Sequence, residues 1–196
     1  MQVLDAESGK TLGTLMNWGN HPETLWSENI QISSDFPDVW RNQVEDGITE
    51  GDSTLLDGVG GVAIFLNGAV GGLMTTHPDM PVIDPYSGES FQKQSPEKMR
   101  AQGKALAKIT LETLQDTIWK SEEKVNLSLR AKTIELKMDN ELFHLAAFLG
   151  IFERGFTSWK HIRSEVSAWT LGPATFLHAP GELYPELSLI HISEPT

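Results

Sequence analysis

Histidine and carboxylate side chains are the donors that a hydrolytic metal ion takes. Two of them stand in loops that follow predicted strands: His21 in Asn17-Trp18-Gly19-Asn20-His21-Pro22-Glu23, and Glu182 in Pro180-Gly181-Glu182. A third such loop runs through Asn67-Gly68-Ala69-Val70-Gly71-Gly72 to His77. Loops that leave strand ends on one edge of an α/β sheet can converge on a ligand. The same residues also read as a turn-capping histidine and a solvated loop acid, since neither His21 nor Glu182 sits in a zinc spacing such as HExxH. The glycines lack the GxxxxGK[ST] and GxGxxG spacings of phosphate cradles. They serve tight turns, or they present backbone N–H groups to a developing oxyanion. His77 reads equally as a ligand and as a loop histidine. His144 lies among apolar neighbours, His161 in a polar stretch and His178 in a predicted strand. Ser33-Ser34 has no histidine near it in sequence to serve as its base.

The elements that must position these loops follow from periodicity. Residues 12–18 form a short apolar run that predicts a strand, followed by a polar loop over 19–35. Phe36, Val39, Trp40, Val44 and Ile48 share one helical face, which predicts a helix over 36–48 with Asp35 at its N-cap and Pro37 in its first turn. Val62 to Leu66 is an apolar run without alternation, as expected of a strand covered on both faces. The prolines at 78, 81 and 85 predict a long surface loop over 75–94. Ser95-Pro96 opens the clearest helix, over 96–120, in which Ala107, Leu111, Leu114 and Ile118 recur at spacings that bury one face. Residues 125–138 alternate as a half-buried strand does. A short apolar helix over 141–152 and strands over 165–171 and 174–178 complete the reading. Helices and strands interleave, so the fold class is α/β, with a mixed β-sheet core and flanking helices.

Composition narrows the function classes. The 196 residues carry 15 Lys and Arg against 27 Asp and Glu, a formal charge of −12. No basic cluster marks a nucleic-acid face, so no nucleic-acid partner is expected. The chain has no cysteine, which excludes disulfides, thiolate nucleophiles and Cys-ligated zinc. No apolar run approaches the roughly 18 residues of a membrane span, so no transmembrane segment is expected.

The loops, taken in order, resemble the motifs of the neutral/alkaline ceramidase family, especially its bacterial members. The matching segments are Asn17-Trp18-Gly19-Asn20-His21-Pro22-Glu23, Ile32-Ser33-Ser34-Asp35, Phe65-Leu66-Asn67-Gly68-Ala69-Val70-Gly71-Gly72 and Pro180-Gly181-Glu182. The resemblance runs in order over about residues 12–187, nearly the whole chain. It implies a Zn²⁺-dependent amidohydrolase that cleaves the N-acyl bond of a sphingolipid-like or other N-acylated substrate. It further implies that His21 and Glu182 bind the zinc. In such an enzyme the backbone N–H groups around Asn67–Gly72, Asn67 and Gly68 first, are candidates for stabilising an oxyanion. Ser34 and Asp35 would orient the His21 loop. One departure stands out. Where the family has Gly-Asp-Val-Ser-Pro with a proposed serine nucleophile, this chain reads Gly71-Gly72-Leu73-Met74-Thr75. Met74 falls on the serine, and a thioether has no proton to lose. Thr75 or Thr76 is the available substitute.

The family also uses a histidine upstream of the His-Pro motif and a tyrosine beyond Pro-Gly-Glu. No histidine precedes His21, and Tyr184 stands too close to Glu182 to be assigned as that tyrosine. Residues 188–196 depart abruptly from what precedes them and read as a non-native, adapter-like tail. The expectation is therefore a partial hydrolase domain over 1–187, inactive as it stands. Members of the resembled family are often secreted or periplasmic, whereas MQVLDAESGK carries no secretory signal, so the compartment stays open. The alternative is a non-catalytic relative with a binding or scaffold role.

Overall fold

The computed structural model describes residues 1–72, 74–115, 124–151, 157–158 and 160–186. The chain divides into two compact units, residues 1–120 with 182–196, and residues 121–181. The class is α/β, with three α-helices among the described residues and several mixed or antiparallel sheets. Among the described residues, no helix is long and apolar enough to cross a membrane. Residues 188–196, for which an adapter-like tail is expected, lie outside the described residues.

The first unit is organised by a three-stranded mixed sheet. Strand β1 (Gln2–Leu4) runs antiparallel to β2 (Thr11–Trp18). Helix α1 (Phe36–Asp46) comes next in sequence, then the hairpin of β3 (Gly47–Glu50) and β4 (Ser53–Asp57). Strand β5 (Val62–Asn67) closes the sheet, parallel to β2 from Gly13↔Val62 to Trp18↔Asn67. Because the pairing is parallel and its last partners are Trp18 and Asn67, the loops after β2 and β5 leave the same edge together. A two-residue pair, β6 (Val82–Ile83) with β7 (Ser90–Phe91), lies within the stretch read as a surface loop. Helix α2 (Pro96–Gln115) follows, and Ser95 caps it by accepting from the Lys98 amide at 3.1 Å. The expected continuation over 116–120, with Ile118, lies outside the described residues.

The core joins α1, α2 and one face of the sheet. Phe36, Trp40, Val44, Ile48, Ala63, Leu106, Ala107 and Leu111 are buried together. Phe36 meets the rings of Trp18 and Phe65 edge to face at 5.4 and 5.6 Å. Gly103 is where the two helices touch: a Cβ there would lie 2.7 Å from Val39 Cγ1. Two expectations change. The helical face read over 36–48 ends at Asp46, because Gly47 takes φ +100° and turns the chain into β3. Ile48 keeps its place in the core from the strand. Strand β5 is covered on one face only. Ala63 and Phe65 pack on the core, whereas Val62 and Ile64 are 58% and 44% exposed.

Among its described residues, the second unit is an antiparallel sheet with one short helix. Strand β8 (Leu127–Lys137) pairs with β9 (His161–Leu171) over eleven positions, and β9 turns through Gly172-Pro173 into β10 (Ala174–His178). Trp169 and Phe176 stack face to face at 3.9 Å. Helix α3 (Glu141–Phe148) starts at Asn140, whose side chain accepts from the Leu142 amide at 2.9 Å. Phe152, the last residue of the expected helix, lies outside the described residues. The half-burial expected of β8 is not found. Leu127 and Leu129 are 73% and 68% exposed.

Candidate functional site

The loop after β2 and the segment just before Pro185 meet at His21 and Glu182. His21 Nε2 stands 3.0 Å from Glu182 Oε1, and His21 Nδ1 stands 2.9 Å from the Met74 carbonyl oxygen. The same carbonyl accepts from the His21 amide at 2.8 Å. Backbone contact carries Glu182 there: the Gly71 amide donates to the Leu183 carbonyl at 2.8 Å. A Cβ at Gly71 would lie 2.7 Å from the Leu183 carbonyl carbon, so only glycine allows this approach. Gly72 has φ +78°, and a Cβ there would lie 2.7 Å from Tyr184 Cε1. The position that carries aspartate in the resembled motif thus faces a tyrosine ring here.

Both ring nitrogens of His21 face oxygens. A carbonyl only accepts, and so does an ionised carboxylate, so the imidazolium satisfies both contacts at once. The His21 pKa is accordingly raised, by the Glu182 hydrogen bond above all and then by the Met74 carbonyl, with partial burial opposing. The alternative state is a neutral ring with its proton on Nδ1, held by Met74. Its Nε2 lone pair then points toward Glu182, ready for a cation.

The remaining predicted residues serve the loops. Asp35 is 3% exposed, and its carboxylate accepts from the Leu25 amide at 3.0 Å and the Phe36 amide at 2.8 Å. It thereby ties the chain after His21 to the start of α1. Ser34 is exposed; the serine that takes part is Ser33, whose hydroxyl accepts from the Asp35 amide at 3.0 Å. The Gly68 amide donates to the Trp18 carbonyl at 3.0 Å. In the orientation its neighbours require, the Asn67 side-chain nitrogen donates to the carbonyls of Asn20 and Trp18 at 2.9 and 3.3 Å. These donors join the two loops. The Thr75 hydroxyl is shut off from solvent, with no hydrogen-bond partner among the described residues, and cannot reach a substrate carbonyl as it stands. His77 is turned to its own loop, where its Nδ1 accepts from the Asp79 amide at 3.1 Å.

Sequence reasoning missed the supports behind His21. The Met74 carbonyl has no side-chain signature. Gln102 and Lys98, buried on α2, are polar residues that the expected apolar stripe of Ala107, Leu111, Leu114 and Ile118 does not include. Their only signal was a spacing of four that continues to Leu106 on the buried stripe. Beside the His21 loop an open cleft of about 310 Å³ is bounded by Glu23, Trp26, Asn29 and Ser33, among others.

His21 and Glu182 offer donor types that zinc takes, one imidazole nitrogen and one carboxylate oxygen, here 3.0 Å apart in direct contact. Two ligands on a tetrahedral zinc stand about 3.4 Å apart. Among the described residues no group of three or more His, Cys, Asp or Glu forms a metal cluster. The chain matches no family model and no curated protein.

Proposed function

We propose that this chain belongs to a zinc-dependent amidohydrolase resembling the neutral ceramidases, and that His21 and Glu182 supply two of its metal ligands. One observation carries the reading: His21 Nε2 meets Glu182 Oε1 at 3.0 Å while Nδ1 is held by the Met74 carbonyl. Holding Nδ1 in this way selects the tautomer whose Nε2 can bind a metal. Glu182, 64% exposed, leaves the pair open to a substrate from solvent. A bound zinc ion supplies an acidified water and polarises a substrate carbonyl. A serine nucleophile is then dispensable, which accommodates Met74. A catalytic zinc takes three protein ligands as a rule, so the pair alone binds it weakly. The substrate class is an N-acyl amide, sphingolipid-like in the nearest analogy.

The test is a zinc titration followed by the ring ¹⁵N shifts of the histidines. Zinc should move His21 Nε2 alone and leave Nδ1 protonated, and His21→Ala should remove the response. Saturating zinc with an unmoved His21 ring would refute the assignment.

A second reading rests on the same contacts. With both nitrogens protonated, His21 is an ionic clamp between Met74 and Glu182, as suits a non-catalytic relative with a binding or scaffold role. An unmoved ring in the titration would favour it.

A further inference from the structure

Below the His21 contact lies a set of buried polar side chains that the loops alone do not explain. Lys98 and Gln102 are one turn apart on α2, 1% and 6% exposed. Both face the segment that follows Met74. The Lys98 ammonium donates to the carbonyls of His77, Pro78 and Gln92 at 2.8, 3.1 and 2.8 Å. That uses all three of its protons. Gln102 Oε1 accepts from Thr76 Oγ1 at 2.5 Å and from Thr24 Oγ1 at 3.0 Å. Thr76 Oγ1 in turn accepts from Asn20 Nδ2 at 3.2 Å.

The connectivity has a direction. Thr24 and Asn20 flank His21 on its own loop, and Thr76 stands two residues after Met74. A single oxygen on α2 therefore holds both sides of the His21–Met74 contact. Lys98 holds the next two residues of the second side. Burying an ammonium costs several kcal/mol in the absence of partners, and burying a primary amide is likewise unfavourable unless it is bonded. A helix that needed only to pack would place apolar residues at both positions.

We infer that Lys98 and Gln102 are positioning residues. They set the Met74 carbonyl against His21 Nδ1 and so fix where Nε2 points. The functional meaning rests on the reading of His21 as a metal ligand; the geometry does not.

The test therefore has a readout that needs no metal. The His21 amide donates to the Met74 carbonyl, and its hydrogen exchange reports the junction directly. The amides of Val59 and Gly60, bonded to Val44 and Glu45 at 2.9 and 3.0 Å, serve as controls in the same unit. In metal-free protein, Gln102→Leu should speed His21 exchange about tenfold, the effect of one buried hydrogen bond, and leave Val59 and Gly60 unchanged. Gln102→Glu, which keeps the acceptor, should restore protection. Thr76→Val, which leaves α2 intact, should reproduce the loss if Gln102→Leu fails to fold, and Thr76→Ser should not. Unchanged His21 exchange in Gln102→Leu and Thr76→Val overturns the inference. So does a loss of equal size at His21, Val59 and Gly60, which marks a purely global effect. A selective loss at His21 in a protein whose histidine rings ignore zinc sustains the positioning role and removes the metal reading.

Discussion

Gly71→Ala probes the junction that brings Glu182 to His21. The new Cβ would meet the Leu183 carbonyl carbon at 2.7 Å and the Glu182 and Leu183 carbonyl oxygens at 2.8 Å. Ordinary contact begins near 3.4 Å, so the segments must part by 3.4 − 2.7 = 0.7 Å. Backbone atoms on both sides leave no flexible side chain to absorb that shift. The Gly71–Leu183 hydrogen bond would lengthen from 2.8 Å to about 3.5 Å, beyond useful range. A lost hydrogen bond costs about 1 kcal/mol and overpacking about 1–3 kcal/mol, so the expected loss is about 2–4 kcal/mol. Urea unfolding should show it as a lower midpoint with an unchanged slope. Because Glu182 moves with Leu183, the His21–Glu182 coupling should vanish as well. A double-mutant cycle of His21→Gln with Glu182→Gln, run in the wild-type and Gly71→Ala backgrounds, measures that coupling. Full stability, or a coupling that survives the substitution, would refute the argument that backbone contact at Gly71 delivers the carboxylate.

Three further outcomes follow from the same physics. The His21 pKa is raised in the folded state, so its stabilising contribution is complete below the unfolded value near 6.5 and disappears as pH rises through the folded value. Wild type minus His21→Gln, by urea unfolding across that range, should show the loss, of about 0.2–1 kcal/mol because Glu182 is solvated; a difference that grows with pH contradicts it. Asp35 has φ 56° and ψ −152°, a region that suits glycine. Removing its carboxylate should destabilise both variants by about 2 kcal/mol or more, yet Asp35→Gly should unfold at higher urea than Asp35→Ala; the reverse order would mean the backbone is unstrained. Gly103→Ala should lower stability although alanine is the better helix former by about 1 kcal/mol, because Val39 occupies the space; a stabilised variant in thermal unfolding would show that α1 and α2 can separate freely.

The parts of the fold legible in sequence are those whose pattern and packing agree. Strand β2, helix α1 and helix α2 carried apolar spacing, caps and prolines that pointed the same way, and they stand within a few residues of expectation. Strands β3 and β4 were illegible because Ile48 continues the helical spacing of Phe36, Trp40 and Val44, while only the φ of Gly47 breaks it. The exposure of β5 on one face and of β8 along its length was equally hidden. Sequence pattern shows which residues can be buried, not whether another layer exists to bury them. At the site, His21 and Glu182 were legible as loop residues of suitable chemistry, and their meeting was not. It depends on the parallel register of β2 with β5 and on a backbone contact at Gly71. Thr75 illustrates the converse, a suitable side chain on a suitable loop that packing turns inward.

The division of the chain into two units has a kinetic consequence. The first unit is completed only by residues after 181, so Glu182 arrives after an excursion of 181 − 120 = 61 residues. Closing a flexible loop of that length costs roughly 4 kcal/mol plus a constant. Any order that residues 121–181 gain before their ends meet removes part of that cost. The contact between His21 and Glu182 is therefore expected to form late in folding, and amide protection at His21 in pulse-labelled refolding should lag that of Val59. Substitutions in β8 or β9, remote in sequence from His21, should thus delay assembly of the pair through chain connectivity alone.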